Sequence, residues 1–229
     1  MRYIVIDLEM HPLPEEYQFE KNICKNETIE IGAVMLNDSF AETGEFQSLV
    51  RPEYCREIYP RYERLTGLNY EKLQGEELFA EVFHRFCTWC REGGDAFQVM
   101  AWSDSDFWQL IHEICLKRVD LSDVEKEMMI SWRDFQKEFG RIIRKKEQIS
   151  LDRALYYADL SFCGKRHSAL WDARNTANLF RKTRKQKNRE KIAEKAKTML
   201  VKDPLTVTLG ELFPFDAAAC QQKMVGKKQ

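Results

Sequence analysis

Three short segments hold the side chains in this sequence best suited to chemistry. The first is Asp7-Leu8-Glu9, which ends the apolar run Tyr3-Ile4-Val5-Ile6. Residues two apart in a strand project to the same face, so both carboxylates leave the end of a buried strand together. Like charges there cost several kcal/mol in desolvation and repulsion unless a cation joins them. Carboxylates are the donors that Mg²⁺ and Mn²⁺ prefer; an acid exposed at a strand end is the simpler alternative. The second segment, Trp102-Ser103-Asp104-Ser105-Asp106, falls between an expected strand and helix. Binding groups gather in such loops of open α/β sheets, although Ser and Asp are also preferred helix caps. The third runs from His167 to Asp172. On one continuous helix these two would point about 140° apart, so they share a site only if His167 lies on a loop before the helix, which Gly164 permits. A neutral His can accept a proton near pH 7; a lone structural His is the plain alternative.

The elements that must position these groups are legible from periodicity. Residues 3–6 read as a buried central strand, followed by a polar segment from His11 to Asn26. Thr28–Leu36 and Glu45–Val50 read as strands joined by Asn37-Asp38-Ser39, an antiparallel hairpin. A helix is expected over 76–91, closed by Gly93-Gly94. A strand is expected over 97–101, then a helix over 106–117 that Ser103 or Ser105 could cap. In 119–150 the pattern gives a strand near Met128–Trp132 and a short helix near Phe135–Ile143. Leu151–Ala158 reads as helical, and a last helix after His167 continues past Phe180 through RKTRKQKNREKIAEKAKTML to Pro204. LTVTLGELFPF then offers a short strand. Strands and helices alternating after a hairpin imply a mixed α/β sheet covered by helices.

Charge is uneven along the chain. The first 180 residues carry 23 Lys and Arg against 32 Asp and Glu, and the last 49 carry 13 against 5. An acidic body with a basic end can draw an anionic partner to one side, or the basic run is a solvated helix face. The seven cysteines have no framework spacing, the first residues do not form a signal segment, and no run approaches the ~18 apolar residues of a membrane span. These features point to a protein without a membrane segment in a reducing compartment, the cytoplasm. Cys87 and Cys90 lie on the apolar pattern of Phe79, Val82, Phe83 and Phe86 and are expected in the core rather than on a metal.

Taken in order, Asp-x-Glu on the first strand, Asp between a strand and a helix, and His-x4-Asp opening a late helix resemble the DEDDh (DnaQ-like) exonuclease superfamily. Further segments agree: TIEIGAVML resembles its second strand, IYPRYERLTGL its P-x4-LTG segment, WSDSDFWQL its second motif and HSALWDARNTANLF its third. The form with Trp102 and the 119–150 insertion most resembles the Eri-type and KapD-like branch, although Met10 stands where the family usually has Thr or Ser. The resemblance implies a ribonuclease H-like fold with about five strands, an exonuclease domain over 1–182 and a basic helical extension over 183–229. It implies that Asp7, Glu9, Asp106 and Asp172 hold two divalent ions, Mg²⁺ or Mn²⁺, with His167 as general base. Asp106 is preferred to Asp104 because it stands four residues after Trp102.

The implied reaction is 3′→5′ hydrolysis of single-stranded RNA or DNA to nucleoside 5′-monophosphates. Three rival readings are a non-catalytic nucleic-acid-binding module on the same fold, a phosphoesterase acting on very short oligonucleotides, and a scaffold whose helical end recruits a partner.

Overall fold

The computed structural model describes residues 1–202 except 93, 95 and 146. The expected strand in LTVTLGELFPF and the stop at Pro204 lie outside the described residues. The chain opens with β1 (Arg2–Pro12), α1 (Gln18–Lys21), β2 (Asn26–Leu36) and β3 (Glu42–Leu49). Next come α2 (Pro60–Thr66), α3 (Tyr70–Leu73), α4 (Phe79–Cys90), β4 (Phe97–Ala101) and α5 (Ser105–Lys117). It closes with α6 (Asp123–Ile130), β5 (Arg133–Asp134), α7 (Phe135–Ile143), α8 (Leu151–Tyr157), α9 (Ala169–Thr183) and α10 (Gln186–Lys202).

The five strands form one sheet in the order β3-β2-β1-β4-β5. β1–β2 and β2–β3 are antiparallel, while β1–β4 and β4–β5 are parallel. The expected hairpin is therefore present, and with the helices that cover it the sheet makes a ribonuclease H-like fold. Strand alternation assigns the two faces. Ile4, Ile6, Leu8, Ile31 and Ala33 pack toward α4 with Phe79, Phe83 and Phe86. Val5, Val34 and Leu36 pack the other way, with Phe135, Phe139 and Phe180 of α7 and α9. β1 is longer than its apolar run: it continues through Asp7 and Glu9 to a buried His11, which the sequence placed in the polar segment. Its register with β2 shifts between Glu9 and Met10, so Glu9 faces Glu30 but Met10 faces Thr28, leaving Ile29 as an extra residue.

Two expectations are corrected. Residues 128–132 do not form a strand, because Met128 and Met129 belong to α6. The Ser122 hydroxyl accepts from the Glu125 N–H, and the Glu125 carboxylate accepts from the Ser122 N–H, a capping box that starts a helix there. Only Arg133 and Asp134 are left for an edge strand. The last helix is also interrupted: α9 stops at Thr183 and α10 starts at Gln186. Ile192 and Ala196 of α10 are buried in the same core as Phe139, Leu155 and Phe180, so burial of a small apolar stripe folds the basic segment back onto the body. Asp104 holds the N-cap position of α5 without a side-chain bond, while the Ser103 hydroxyl accepts from the N–H of Ser105, the first residue of the helix, at 3.3 Å.

A buried charged cluster fixes α5 to β2. Lys117 Nζ lies 3.0 Å from Glu27, 2.7 Å from Glu113 and 3.2 Å from Glu53. Glu113 also accepts from the N–H and hydroxyl of Thr28. Glu27 accepts from the N–H groups of Glu53, Tyr54 and Cys55. Cys87 and Cys90 are buried in the α4 core, and burial pushes both thiols up.

Candidate active site

The far end of β1 brings the first acidic pair to one face, as alternation requires. Asp7 stands opposite Gly32 of β2, and Glu9 stands opposite Glu30. Gly32 lets α9 begin directly over β2, since a Cβ there would overlap the backbone of Ala169 and Leu170. With the first turn of α9 on the sheet, one carboxylate oxygen from each of Asp7, Glu9 and Asp172 falls within 4.8 Å of the others. Asp106 approaches from the start of α5, where it is buried and accepts a 3.1 Å hydrogen bond from the Leu8 N–H. Asp104, two residues earlier, turns outward to Lys137 at 2.6 Å.

His167 lies before α9 rather than in it, with a left-handed backbone (φ 58°). Its N–H donates to Asp172 Oδ2 at 3.0 Å, and the Asp172 N–H returns a bond to Ser168 at 3.0 Å. The loop placement that the sequence required for a shared site is thus present, and His167 is exposed beside the acids. Three residues upstream, Gly164 also has a left-handed backbone (φ 84°), and the Trp171 indole fills the space its side chain would take.

The electrostatics follow from burial and like charge. Burial, then Asp106, Asp172, Glu9 and Glu30, hold the Asp7 carboxyl well above its ordinary range. Glu9 is pushed up to about 8 by burial and by Asp172, Glu30 and Asp106, with Lys165 opposing. Asp106 is pushed up to about 7, chiefly by burial. Burial also raises Asp172, against the His167 N–H bond and the His167 charge. Asp7, Glu9 and Asp172 offer hard oxygen donors close enough together to hold a divalent cation, and the buried Asp106 lies outside that group while adding to the repulsion on Asp7.

Sequence reasoning passed over the surroundings of this cluster. Glu30, buried on β2, accepts from Gln47 of β3 at 2.7 Å and from the Ala169 N–H at 3.2 Å. Lys165 donates to the Thr66 carbonyl at 2.5 Å. These residues, with Leu49, Leu68 and Ser168, line a cleft of about 510 Å³ beside the acids. A glutamate at a buried-face position of TIEIGAVML was the available signal for Glu30; nothing local marked Lys165 or Gln47.

Residues 4–180 match the exonuclease family. The chain is 30% identical over 179 residues to ERI1 exoribonuclease 2 of Danio rerio, covering 70% of this chain and 32% of that protein. It is 27% identical over 229 residues to ERI1 exoribonuclease 2 of Mus musculus, covering 90% and 33%. The chain thus spans about a third of the length of the curated relatives it matches. Its fold matches the nuclease domain of 3′hExo, a DEDDh family member bound to rAMP, with a TM-score of 0.65 at 22% identity over 79% of this chain and 90% of that one. With the family matched along most of the chain and acids gathered at one end of its sheet, the protein belongs to the exonuclease family and is similar to the ERI1 exoribonucleases.

Proposed function

We propose that this chain removes nucleotides from the 3′ end of single-stranded nucleic acid, RNA in preference to DNA, releasing nucleoside 5′-monophosphates. The observation that carries the reading is the convergence of Asp7, Glu9 and Asp172 within 4.8 Å next to the buried Asp106. The exoribonuclease names of the relatives favour RNA. Asp7, Glu9, Asp106 and Asp172 would hold two divalent ions, Mg²⁺ or Mn²⁺. When bound, such ions neutralise the phosphodiester and make water acidic enough to attack near neutral pH.

The chain's own residues supply the rest. His167, at the rim, takes the proton of the attacking water, and its N–H to Asp172 fixes the loop that carries it. Leu8 keeps Asp106 oriented through its N–H.

Residues 1–182 act as the catalytic unit, and exposed Lys185, Lys187 and Lys191 hold the backbone of longer strands electrostatically. Neutralising these three lysines weakens long-strand binding and flattens its salt dependence; an unchanged salt slope excludes them. Its site of action in this reading is the cytoplasm, where the free thiols of the described cysteines persist; among the described residues no helix is long and apolar enough to cross a membrane.

Degradation of 5′-labelled single-stranded RNA and DNA with Mg²⁺ or Mn²⁺, beside Asp7→Ala, tests the reading. A ladder shortening from the 3′ end, absent in the variant and in EDTA, is expected. Binding without cleavage would instead make the chain a nucleic-acid-binding module, and cleavage confined to dinucleotides a small phosphoesterase.

A further inference from the structure

Glu30 is a buried carboxylate opposite Glu9, a position where its charge adds to the repulsion on that residue. Its hydrogen bonds go to β3 and to the start of α9. Gln47 Nε2 donates to Oε1 at 2.7 Å, Ser168 Oγ lies 3.4 Å from the same oxygen, and the Ala169 N–H donates to Oε2 at 3.2 Å. Ala169 is the first residue of α9, and Ser168, the N-cap by position, makes no side-chain capping bond. The first N–H groups of a helix have no partner within it and need an acceptor from elsewhere. In most helices that acceptor is the helix's own Ser, Thr, Asp or Asn. Here the neighbouring strand provides it.

This first turn is also the one that carries the rim of the site. Asp172 is tied to it through the Ser168 carbonyl, and His167 is tied to Asp172. Gly32, two residues beyond Glu30 on the same face of β2, lies beneath the same turn. Glu30 and Gly32 therefore constrain one turn in two ways, the first by a hydrogen bond and the second by close approach. We infer that Glu30 is a positioning residue: it caps α9 from the sheet and thereby sets where Asp172 and His167 stand relative to Asp7 and Glu9. Its effect on turnover rests on the exonuclease reading; its effect on the helix does not.

The test uses the full chain and two readouts. Hydrogen exchange of residues 168–173 is followed in metal-free protein, and kcat and KM are measured on a single-stranded oligonucleotide with Mn²⁺. Glu30→Ala is expected to speed exchange in the first turn about tenfold, the size of a lost helix cap. Its kcat falls about tenfold or more through misplacement, with KM within about twofold of wild type. Glu30→Gln keeps an acceptor oxygen and restores both readouts; Gln47→Ala, which frees one side of Glu30, falls between.

Unchanged exchange in Glu30→Ala overturns the capping role. A Glu30→Gln protein with normal exchange but turnover as low as Glu30→Ala shows that Glu30 acts through its charge, which also overturns it. If Glu30→Ala fails to fold, Gln47→Ala decides: wild-type exchange and turnover there overturn the inference. A wild-type protein that cleaves nothing sinks the exonuclease reading, while the exchange result still decides the cap.

Discussion

Gly32 of β2 lies directly beneath Leu170 of α9, so that a single added carbon at residue 32 would occupy the helix backbone. The contact is with main chain, which cannot rotate aside. Gly32→Ala should therefore lift the start of α9, costing about 3 kcal/mol as overpacking of a tight site. Activity should fall further than stability at temperatures where the protein stays folded, because Asp172 moves with the helix. Urea unfolding beside an exonuclease assay checks this, and wild-type values in both would refute it.

The raised Glu9 carboxyl makes the metal-free protein pH-sensitive in a defined direction. Its folded value of about 8 lies above its ordinary 4.5, so across that window the folded state holds a proton that the unfolded chain has released. Stability then falls as pH rises from about 4.5 to 8. Glu9→Gln removes this contribution, so in EDTA it should match wild type near pH 5 and melt roughly 5 °C higher near pH 8. Parallel melting curves at both pH values would contradict the assignment.

Divalent ions should reverse that trend. Ligands must be ionised to bind, so Mn²⁺ or Mg²⁺ should raise the melting temperature more at pH 8 than at pH 5.5, increasingly with concentration. Asp7→Asn should lose most of the increase. A wild-type melting temperature indifferent to both ions would argue against a metal centre.

Asp104 and Asp106 differ by two positions and face different surroundings, one paired with Lys137 and the other buried against Leu8. Asp106→Asn is expected to reduce kcat about 100-fold or more. Asp104→Asn should stay within about threefold of wild type, as loss of a partly exposed ion pair allows. Equal losses would mean that the second acidic segment has been misassigned.

How much of this was legible depended on whether the controlling contact was local. Asp7 and Glu9 could be placed on one face because strand alternation is a property of the residues themselves, whereas Gly164 permitted a loop position for His167 without fixing it. The run Met128–Trp132 was misread because short apolar stretches fit strand or helix equally; the capping box that decides it begins six residues earlier, at Ser122. The break between α9 and α10 carries no glycine or proline and arises from tertiary burial of Ile192 and Ala196. Glu30, Gln47 and Lys165 acquire their surroundings only when β3, the end of α2 and the start of α9 meet, which no local pattern encodes.

The extra residue at Ile29 decides which acids meet which side of the sheet. Above it, Glu30 points to α9; below it, Thr28 points to Glu113 of α5, although two residues apart in an even strand would share a face. The shift keeps the acids at the end of β1 apart from the Lys117 cluster, each with its own neighbours. Residue 29 is consequently a matter of count more than identity. Another apolar side chain can replace it, but a deletion there would swap the faces of everything between it and the hairpin turn or the loop before it, sending a hydroxyl toward the acids or a carboxylate into the α5 core. Related sequences that keep both clusters should vary in residue type at this point and not in length.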